Sequence, residues 1–599
     1  ASCHWCHVMA HESFENYEIA KIMNEKFINI KVDREERPDL DSIFQKSLGV
    51  LTGAQGGWPL SMFLDENAVP FTGGTYFPPK EMHGRPSFTQ VLENVSKVYS
   101  ENREKIIAQI SQLQLVFKEF NRKNSVLKQD LEPYAEKIIQ YFDEQYGGFK
   151  GAPKFPQFYV FETIFYFYKK NNNKNFLKPV ETLLNNVSSR GIYDQLAGGI
   201  ARYTVDEKWI VPHFEKMLYD NILYVCLLNQ FLQKEKSDYL KVKLKQTINF
   251  INSEFLSEDN LLGSAFDADS EGIEGKYYIW KYEELKNRLK DKFEIFQKKY
   301  EISHEGNFEG FNILIENNNK LNNEELINIT EAKNILLTER QKRTKPFFDN
   351  KVQTDLNCYW LYSNLYSSLI LDDQTLYEKT INSIDLIHEK LKNNIFHCYN
   401  KNKNEIDVFL EDYVYYALLL ITLYEFNNDK KSLDKCRKIM EEVWSLFFNK
   451  DNNLLQKNII KSNDLFVNPI DIADNNIPNG NSVYLLICSK LSNITNEKSW
   501  TEKVNVLSKS FNTFINFNFS QMFSYLKILD ICEENITATI HGKVNNKLKK
   551  EILKKFMGNI SIIYKENEEE FFVIICKSQT CSQKLKDLNQ INEYIKSNL

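Results

Sequence analysis

The sequence predicts a multidomain protein of mixed α/β and α class: a short α/β domain, then a ring of helical hairpins, then a small α/β segment. Its 599 residues are too many for one ordinary core. Residues 1–100 alternate short strand-like and helical runs, whereas residues from about 131 to 520 show helix after helix with no fixed repeat length. Because the conspicuous motifs fall in the loops between these helices, we expect a closed ring whose working face is built from loops.

Composition excludes several function classes. Hydrophobic residues make up 42% of the chain and charged residues 26%, which is ordinary for a soluble globular protein. The net charge of −6 argues against a large nucleic-acid footprint, and no apolar run reaches the ~18 residues that a membrane span needs. Apart from Cys3/Cys6 and Cys576/Cys581 the cysteines occur singly, as is typical of a reducing compartment. We therefore expect a cytoplasmic protein with no nucleic-acid or membrane partner.

The elements of the three parts follow from local patterns. In the first domain, residues 1–120, a helix follows the opening cysteines and "FINIKVD" (27–33) has the β-branched alternation of a strand. Two strand pieces flank a turn at Asp65–Asn67, and residues 88–120 have the pattern of one long amphipathic helix. Residues 121–130 indicate a linker. The hairpin ring is predicted over residues 131–525 and the small α/β segment over residues 530–599.

The opening "CHWCH" permits three chemistries. Cys3-His4-Trp5-Cys6 is a CxxC, typical of a redox dithiol or of half a zinc site, and His7 completes the C-x-x-C-H of covalent haem attachment. A haem site needs export and a second iron ligand, and a zinc site needs another ligand pair at metal spacing. The redox dithiol is favoured because a cysteine in the first turn of a helix has its thiolate stabilised by free backbone N–H groups.

In the redox hypothesis Cys3 is the nucleophile, Cys6 resolves the mixed disulfide, and Pro59 presents the substrate backbone. Trp58-Pro59 stands just before a strand pattern and is predicted to be a cis peptide, which X-Pro bonds adopt at a cost of only ~0.5–1 kcal/mol. The second pair is predicted to be structural, with Cys576 ending a buried strand as a small apolar residue.

Six stretches of the sequence resemble one family. They are "SCHWCHVMAHESFENYEIAKIMNEKFINIKVDREERPDLD", "GGWPLSMFLDENAVPFTGGTYFP", "GGFKGAPKFP", "GIYDQLAGGIARYTVDEKWIVPHFEKMLYDN", "AFDADSEGIEGKYYIW" and "IPNGNSVYLL". Together they resemble the thioredoxin-domain proteins related to spermatogenesis-associated protein and their bacterial counterparts, over nearly the whole chain. The resemblance implies an N-terminal thioredoxin-like domain followed by an (α/α)6 toroid of the six-hairpin glycosidase type, and it brings no established reaction with it.

The chain departs from the family pattern in three places. A thioredoxin fold needs a central strand running into the CxxC, so the start at Ala1 leads us to expect a longer natural protein. Ala201 in "AGGIARY" stands where the family has a histidine. "DNKVQTDLNC" keeps Lys351, Thr354 and Asn357 but lacks the family's tryptophan and glycine. These departures weaken the expectation of catalysis in the toroid.

Candidate ligand-binding residues of the toroid lie at loop–helix junctions, which alternate hairpins bring to one end of a ring. The predicted crevice residues are Asp194, Arg202, His213, Asp220, Asp267, Asp269, Glu271 and Asp412. His213, Lys216 and Asp220 are expected on one helical face, and the acidic residues of "AFDADSEG" on one side of an extended strand. Neighbouring aromatic side chains would supply faces for sugar rings. Taken singly, each residue also fits a helix cap or an ion pair.

The function predicted from the sequence is a thiol–disulfide module joined to a toroid that binds a carbohydrate or a similar polar ligand. Its partners would be protein thiols or disulfides. One alternative is a sugar epimerase, isomerase or glycoside hydrolase in the toroid. Another is an interaction scaffold without catalysis. No cofactor motif is evident and no metal site is predicted.

Overall fold

A computed structural model describes the chain over residues 3–54, 56–82, 84–120, 130–317, 319–399, 408–459, 465–543, 546–566, 569–578 and 580–598. These residues pack into two compact units. The smaller is formed by residues 1–124 together with 446–470, and the larger by residues 125–445 and 471–599. Within the described ranges no helix is both long enough and apolar enough to span a bilayer.

The helices are, in chain order, α1 (His4–Met9), α2 (Tyr17–Lys26), α3 (Pro38–Thr52), α4 (Phe88–Glu101), α5 (Arg103–Phe120), α6 (Glu132–Ile139), α7 (Phe158–Asn171), α8 (Lys174–Ser189), α9 (Leu218–Lys234), α10 (Asp238–Glu254), α11 (Tyr282–Leu289), α12 (Phe293–Lys299), α13 (Asn323–Arg340), α14 (Thr354–Leu371), α15 (Gln374–Lys390), α16 (Leu410–Asn427), α17 (Lys430–Phe447), α18 (Gly480–Thr495), α19 (Lys498–Asn518), α20 (Phe523–Glu534), α21 (Asn546–Phe556) and α22 (Leu588–Asn598). The strands are β1 (Ser61–Leu64), β2 (Pro70–Gly74), β3 (Lys216–Met217), β4 (Ala265–Phe266), β5 (Asp269–Ser270), β6 (Ile273–Glu274), β7 (Phe348–Asp349), β8 (Val352–Gln353), β9 (Cys398–Tyr399), β10 (Phe448–Asn449), β11 (Leu454–Leu455), β12 (Ile536–His541), β13 (Ser561–Lys565), β14 (Phe572–Lys577) and β15 (Thr580–Cys581).

The smaller unit contains the predicted hairpin. Strands β1 and β2 pair antiparallel, and the carboxylate of Asp65 accepts the N–H groups of Asn67 and Val69 at 3.0 and 2.8 Å, which closes the turn. An apolar core forms where the first helices meet α4, and its buried members are Met9, Ile19, Phe88 and Leu92.

Three expectations for this unit need correction or fall outside the described residues. Residues 27–33 are not a strand: no strand pairs with them in the described part of the chain, and Ile28 is 93% exposed. The predicted long helix is two helices, α4 and α5, because Asn102 leaves helical geometry (φ −130°, ψ 48°) and asparagine favours helix ends. Apart from residue 130, the predicted linker lies outside the described residues.

Residues 446–470 complete the smaller unit from a distant part of the chain. Strands β10 and β11 form a short antiparallel hairpin there. The side-chain amide of Asn458 donates to the buried carboxylate of Asp39 at 2.9 Å, and the Nζ of Lys46 donates to the carbonyl oxygen of Ile470 at 3.1 Å. The ring predicted over residues 131–525 includes this segment, whereas the structure packs it with the smaller unit.

The larger unit is a closed ring of six helical hairpins. Its inner helices are α7, α9, α14, α16, α18 and α20: each contacts the next, and α20 contacts α7. Each inner helix is preceded along the chain by an outer helix (α6, α8, α10, α15, α17 or α19). Every residue of α16 from Leu410 to Phe426 is buried, as expected for a helix that is apolar on every side apart from Glu411, Asp412 and Glu425. The (α/α)6 toroid predicted from the resemblance is confirmed.

The connectivity of the ring brings the motif loops to one end. Since every hairpin runs outer helix first and inner helix second, the inner helices are parallel and their N-termini share an end of the ring. Most loops that carry the predicted motifs directly precede these N-termini, and "AFDADSEG" is joined to them by β4, which pairs with β3 ahead of α9 and with β7 ahead of α14.

The C-terminal α/β segment packs on the ring and belongs to the larger unit. Its sheet has the order β13-β12-β14-β15, with β12 and β13 parallel and joined by α21. The ammonium of Lys490, in the second half of α18, pairs with Glu425 of α16 at 2.6 Å and donates to the carbonyl oxygen of Ile560 at 2.5 Å. The segment therefore lies against the C-terminal halves of the inner helices, away from the motif loops.

Candidate functional site

The two opening cysteines form a disulfide at the start of a helix. Cys3 is the residue before α1, and Cys6, in that helix, is bonded to it. The backbone N–H of Cys6 also points at Cys3, with 3.2 Å between the nitrogen and Sγ. Both cysteines are partly exposed. The arrangement gives the sulfur of Cys3 a backbone donor and leaves the pair open to solvent.

Aromatic side chains surround the cysteine pair and the predicted proline. The indole of Trp5 contacts the rings of His4 and Tyr76 edge-on. The Trp58-Pro59 peptide is cis, as predicted, and the indole N–H of Trp58 donates to Asp41 at 2.8 Å. Pro59 itself is buried two residues before β1.

The other eight cysteines fall into two groups. Six are free thiols, and five of these are buried. Burial raises the pKa of Cys226 and of Cys532 to about 12, so both stay protonated at neutral pH. Cys576 and Cys581 are bonded to each other. They face each other across β14 and β15, a pairing that the sequence analysis did not predict.

Asp194 lies in a buried ionic cluster. Its carboxylate accepts from Lys216 Nζ at 2.8 Å and from Arg340 Nη1 at 3.0 Å. It also accepts the N–H groups of Leu196 and Ala197. Although burial acts in the opposite direction, Arg340 and Lys216 hold the pKa of Asp194 well below its usual range. These contacts favour a structural role for Asp194 in holding its loop.

His213 and Arg202 lie together in a second group. Nδ1 of His213 is 2.8 Å from Glu274, and Nε2 is 3.7 Å from Glu215. Glu215 in turn lies 3.5 Å from the guanidinium of Arg202. The ring of Tyr203 stacks on His213 with 4.8 Å between centroids. The arrangement combines an imidazole, two carboxylates, a guanidinium and an aromatic face.

The prediction that His213, Lys216 and Asp220 share one helical face is wrong. The prediction that the acidic residues of "AFDADSEG" lie on one side of an extended strand is also wrong. Helix α9 begins only at Leu218, and Lys216 pairs with Phe266 in a short sheet, so His213 and Lys216 precede the helix that carries Asp220. "AFDADSEG" is not one extended strand either, because β4 ends at Phe266, a bend at Ala268 follows, and β5 begins at Asp269.

The three acidic residues of this stretch therefore have separate surroundings. Asp267 is buried and accepts the N–H of Ala268. Asp269 lies opposite Glu274 in the β5–β6 hairpin. Glu271 sits in the turn at φ +53° and forms an exposed ion pair with Lys276 at 2.8 Å.

Asp412 belongs to a third group, whose other members sequence reasoning missed. Asp355, in the first turn of α14, and His397, just before β9, have ligand atoms within 4.8 Å of each other and of Asp412. Burial, and next the charge of Asp412, raise the pKa of Asp355 to about 7. Asp355 stood inside the quoted "DNKVQTDLNC", where its place at a helix start was the available signal. No local spacing links His397 to either aspartate.

Comparison with known proteins shows one matching family model and several similar chains. A family described as "Thioredox_DsbH: Protein of unknown function, DUF255" matches residues 1–118. "Uncharacterized protein B0495.5" of Caenorhabditis elegans is 27% identical over 99% of this chain and 91% of its own length. Spermatogenesis-associated protein 20 of Homo sapiens is 26% identical over 85% of this chain and 72% of its own length.

Two solved structures resemble the larger part of the chain. Cellobiose 2-epimerase from Bacillus thermoamylovorans B4167 matches with a TM-score of 0.43 and 13% identity, covering 64% of this chain and 87% of its own. D-mannose isomerase matches with a TM-score of 0.40 and 10% identity, covering 64% of this chain and 86% of its own.

Proposed function

We propose that this chain, which is similar in sequence to spermatogenesis-associated protein 20, carries out thiol–disulfide exchange with protein thiols or disulfides in its smaller unit. The observation that carries this proposal is the disulfide between Cys3 and Cys6 at a helix start, partly exposed. The scattered buried thiols fit a cytoplasmic location for this exchange.

The exchange proceeds in two steps in the reducing direction. The Cys3 thiolate attacks one sulfur of the substrate disulfide, forms a mixed disulfide and releases one substrate thiolate. The Cys6 thiolate then attacks the sulfur of Cys3, releases the second substrate thiolate and leaves the Cys3–Cys6 disulfide. The substrate gains two electrons and the chain loses two; oxidation of a substrate dithiol is the reverse.

Cys3 is assigned as the attacking thiol because of its backbone donor. The N–H of Cys6 is directed at Cys3 Sγ, and a donor to sulfur stabilises the thiolate over the thiol. We therefore expect the thiol pKa of Cys3 in the reduced chain to lie below the ~8.5 of free cysteine.

Alkylation of the reduced chain as a function of pH tests this assignment. Iodoacetamide should label Cys3 faster than any other cysteine at pH 7, and Cys6→Ser should accumulate a mixed disulfide with a small disulfide reagent. Cys226→Ser is the matched control and should leave the Cys3 rate unchanged. Labelling of Cys3 no faster than that of Cys226 would refute the proposal.

For the toroid, the group around His213 supports binding of a polar, ring-shaped ligand such as a carbohydrate. Phe155, which is 38% exposed, stacks on Tyr203 with 4.7 Å between centroids, and Tyr203 stacks on His213. An aromatic face beside a guanidinium and carboxylates matches the apolar faces and hydroxyl edges of sugars. Calorimetric titration with simple sugars tests it, with Tyr203→Ala expected to abolish binding and Tyr377→Ala, on outer helix α15, to preserve it.

The outcome also separates the alternatives. Conversion of a bound sugar would favour the epimerase, isomerase or hydrolase reading of the toroid. If no simple sugar binds to the intact chain, the carbohydrate proposal fails and the interaction scaffold is favoured.

A further inference from the structure

A cluster of one histidine and two aspartates lies at the motif end of the ring. Asp355 occupies the first turn of α14 and Asp412 the first turn of α16, and these two inner helices are neighbours. His397 is brought to them by the β8–β9 pair, since the N–H of Thr354 donates to the carbonyl oxygen of His397 at 2.9 Å. Three separate stretches of the chain thus converge on one point.

The ligand atoms of the cluster are close together and removed from solvent. One atom from each side chain lies within 4.8 Å of the other two, and Nδ1 of His397 is 3.0 and 3.1 Å from the carboxylate oxygens of Asp412. The exposed fractions are 7% for Asp355, 2% for His397 and 0% for Asp412.

These distances fit a shared cation with small adjustment. Two donors that each lie about 2.1 Å from one metal ion are at most about 4.2 Å apart. The ligand atoms all lie within 4.8 Å of one another, so side-chain rotation would have to shorten a separation by no more than about 0.6 Å.

The two buried carboxylates also favour a bound cation. Burying two carboxylates side by side is unfavourable unless hydrogen bonds or an opposite charge compensate them. One oxygen of Asp412 accepts the N–H of Phe409 at 2.8 Å, and one of Asp355 accepts the N–H of Leu356 at 2.7 Å. A dication between the carboxylates would stabilise both of them in their charged form.

The geometry points to a divalent transition-metal site formed by Asp355, His397 and Asp412. Mixed imidazole and carboxylate ligands suit ions such as Zn²⁺ or Mn²⁺, and three protein ligands leave a coordination position for water or a ligand. The site goes beyond the exchange and sugar-binding proposals; of its three residues only Asp412 was among the crevice residues predicted from the sequence.

The test uses the full chain after treatment with EDTA and dialysis, without reductant, so that the Cys3–Cys6 disulfide offers no thiolate ligands. Calorimetric titration with Zn²⁺ and with Mn²⁺ measures binding, and elemental analysis measures the metal content. We expect one ion per chain, with affinity lowered at least tenfold in Asp355→Asn and in His397→Gln. His388→Gln is the matched control, because His388 lies on α15 and contacts Tyr416; it should bind as the unaltered chain does.

A spectroscopic measurement keeps the test decisive if a variant fails to fold. Co²⁺ bound to the unaltered chain should give visible absorption bands, and added Zn²⁺ should remove them. Absence of one-to-one binding in the unaltered chain would overturn the site. So would equal affinity in folded Asp355→Asn, as judged by circular dichroism.

Discussion

Replacement of Asp194 by asparagine should destabilise the larger unit strongly. The side chains of Asp194, Lys216 and Arg340 are 6%, 4% and 4% exposed. Asparagine removes the negative charge but keeps the shape, so two buried cations lose their partner. Breaking a buried pair by removing one partner costs about 3–5 kcal/mol, which corresponds to a factor of roughly 100 or more in the unfolding equilibrium at 1.4 kcal/mol per tenfold.

The effect should depend on pH with a definite sign. The pKa of Asp194 is held below its usual range in the folded chain, so its carboxylate stabilises the fold at every pH above its unfolded pKa of about 3.9. The difference between the unaltered chain and Asp194→Asn should therefore be constant from about pH 5 to 8. It should shrink as the pH falls below about 4.

Guanidinium denaturation followed by circular dichroism measures the difference. Glu271→Gln is the control, because Glu271 forms only an exposed pair with Lys276, and its midpoint should match that of the unaltered chain. A loss below about 1 kcal/mol in Asp194→Asn, the range of an exposed ion pair, would refute the structural role. If Asp194→Asn kept full stability but lost ligand binding, Asp194 would be a ligand-binding residue of the predicted crevice.

Two further outcomes follow from the structure. Gly147→Ala should destabilise the larger unit more than Gly272→Ala: both residues have φ near +75°, but a Cβ at Gly147 would lie 2.5 Å from the Cα of Leu183, whereas one at Gly272 meets nothing within 4 Å. Equal midpoints in denaturation would contradict this reading. Joint replacement of Cys576 and Cys581 by serine should leave the alkylation rate of Cys3 within about twofold, because that disulfide joins β14 and β15 of the larger unit; a tenfold slowing would show that the two pairs communicate.

The sequence predicted those turns and strands that are determined by residues close together in the chain. The turn at Asp65 was predictable because one aspartate side chain closes it within four residues. The C-terminal strands were predictable from their β-branched runs. The strand expected over residues 27–33 was not observed, because alternation describes a side-chain pattern and cannot supply the pairing partner that a strand requires.

The sites were harder to predict than the elements. Asp412 was a candidate from its helix start, but Asp355 and His397 reach it only through the packing of α14 against α16 and the pairing of β8 with β9. The start of α9 was misjudged because Lys216 pairs with a strand about fifty residues further along. Contacts between residues that are far apart in the chain produce no periodic pattern in a single sequence.

The late segment in the smaller unit has a consequence for how the chain is made. The carboxylate of Asp39 receives its hydrogen bond from Asn458, which leaves the ribosome only after most of the ring has been synthesised. At about 5–20 residues per second that interval is on the order of tens of seconds. The smaller unit, which carries the cysteines, therefore stays incomplete during synthesis until residues 446–470 have been made. A gene rearrangement that separated the smaller unit from the ring would have to keep those residues with the smaller unit.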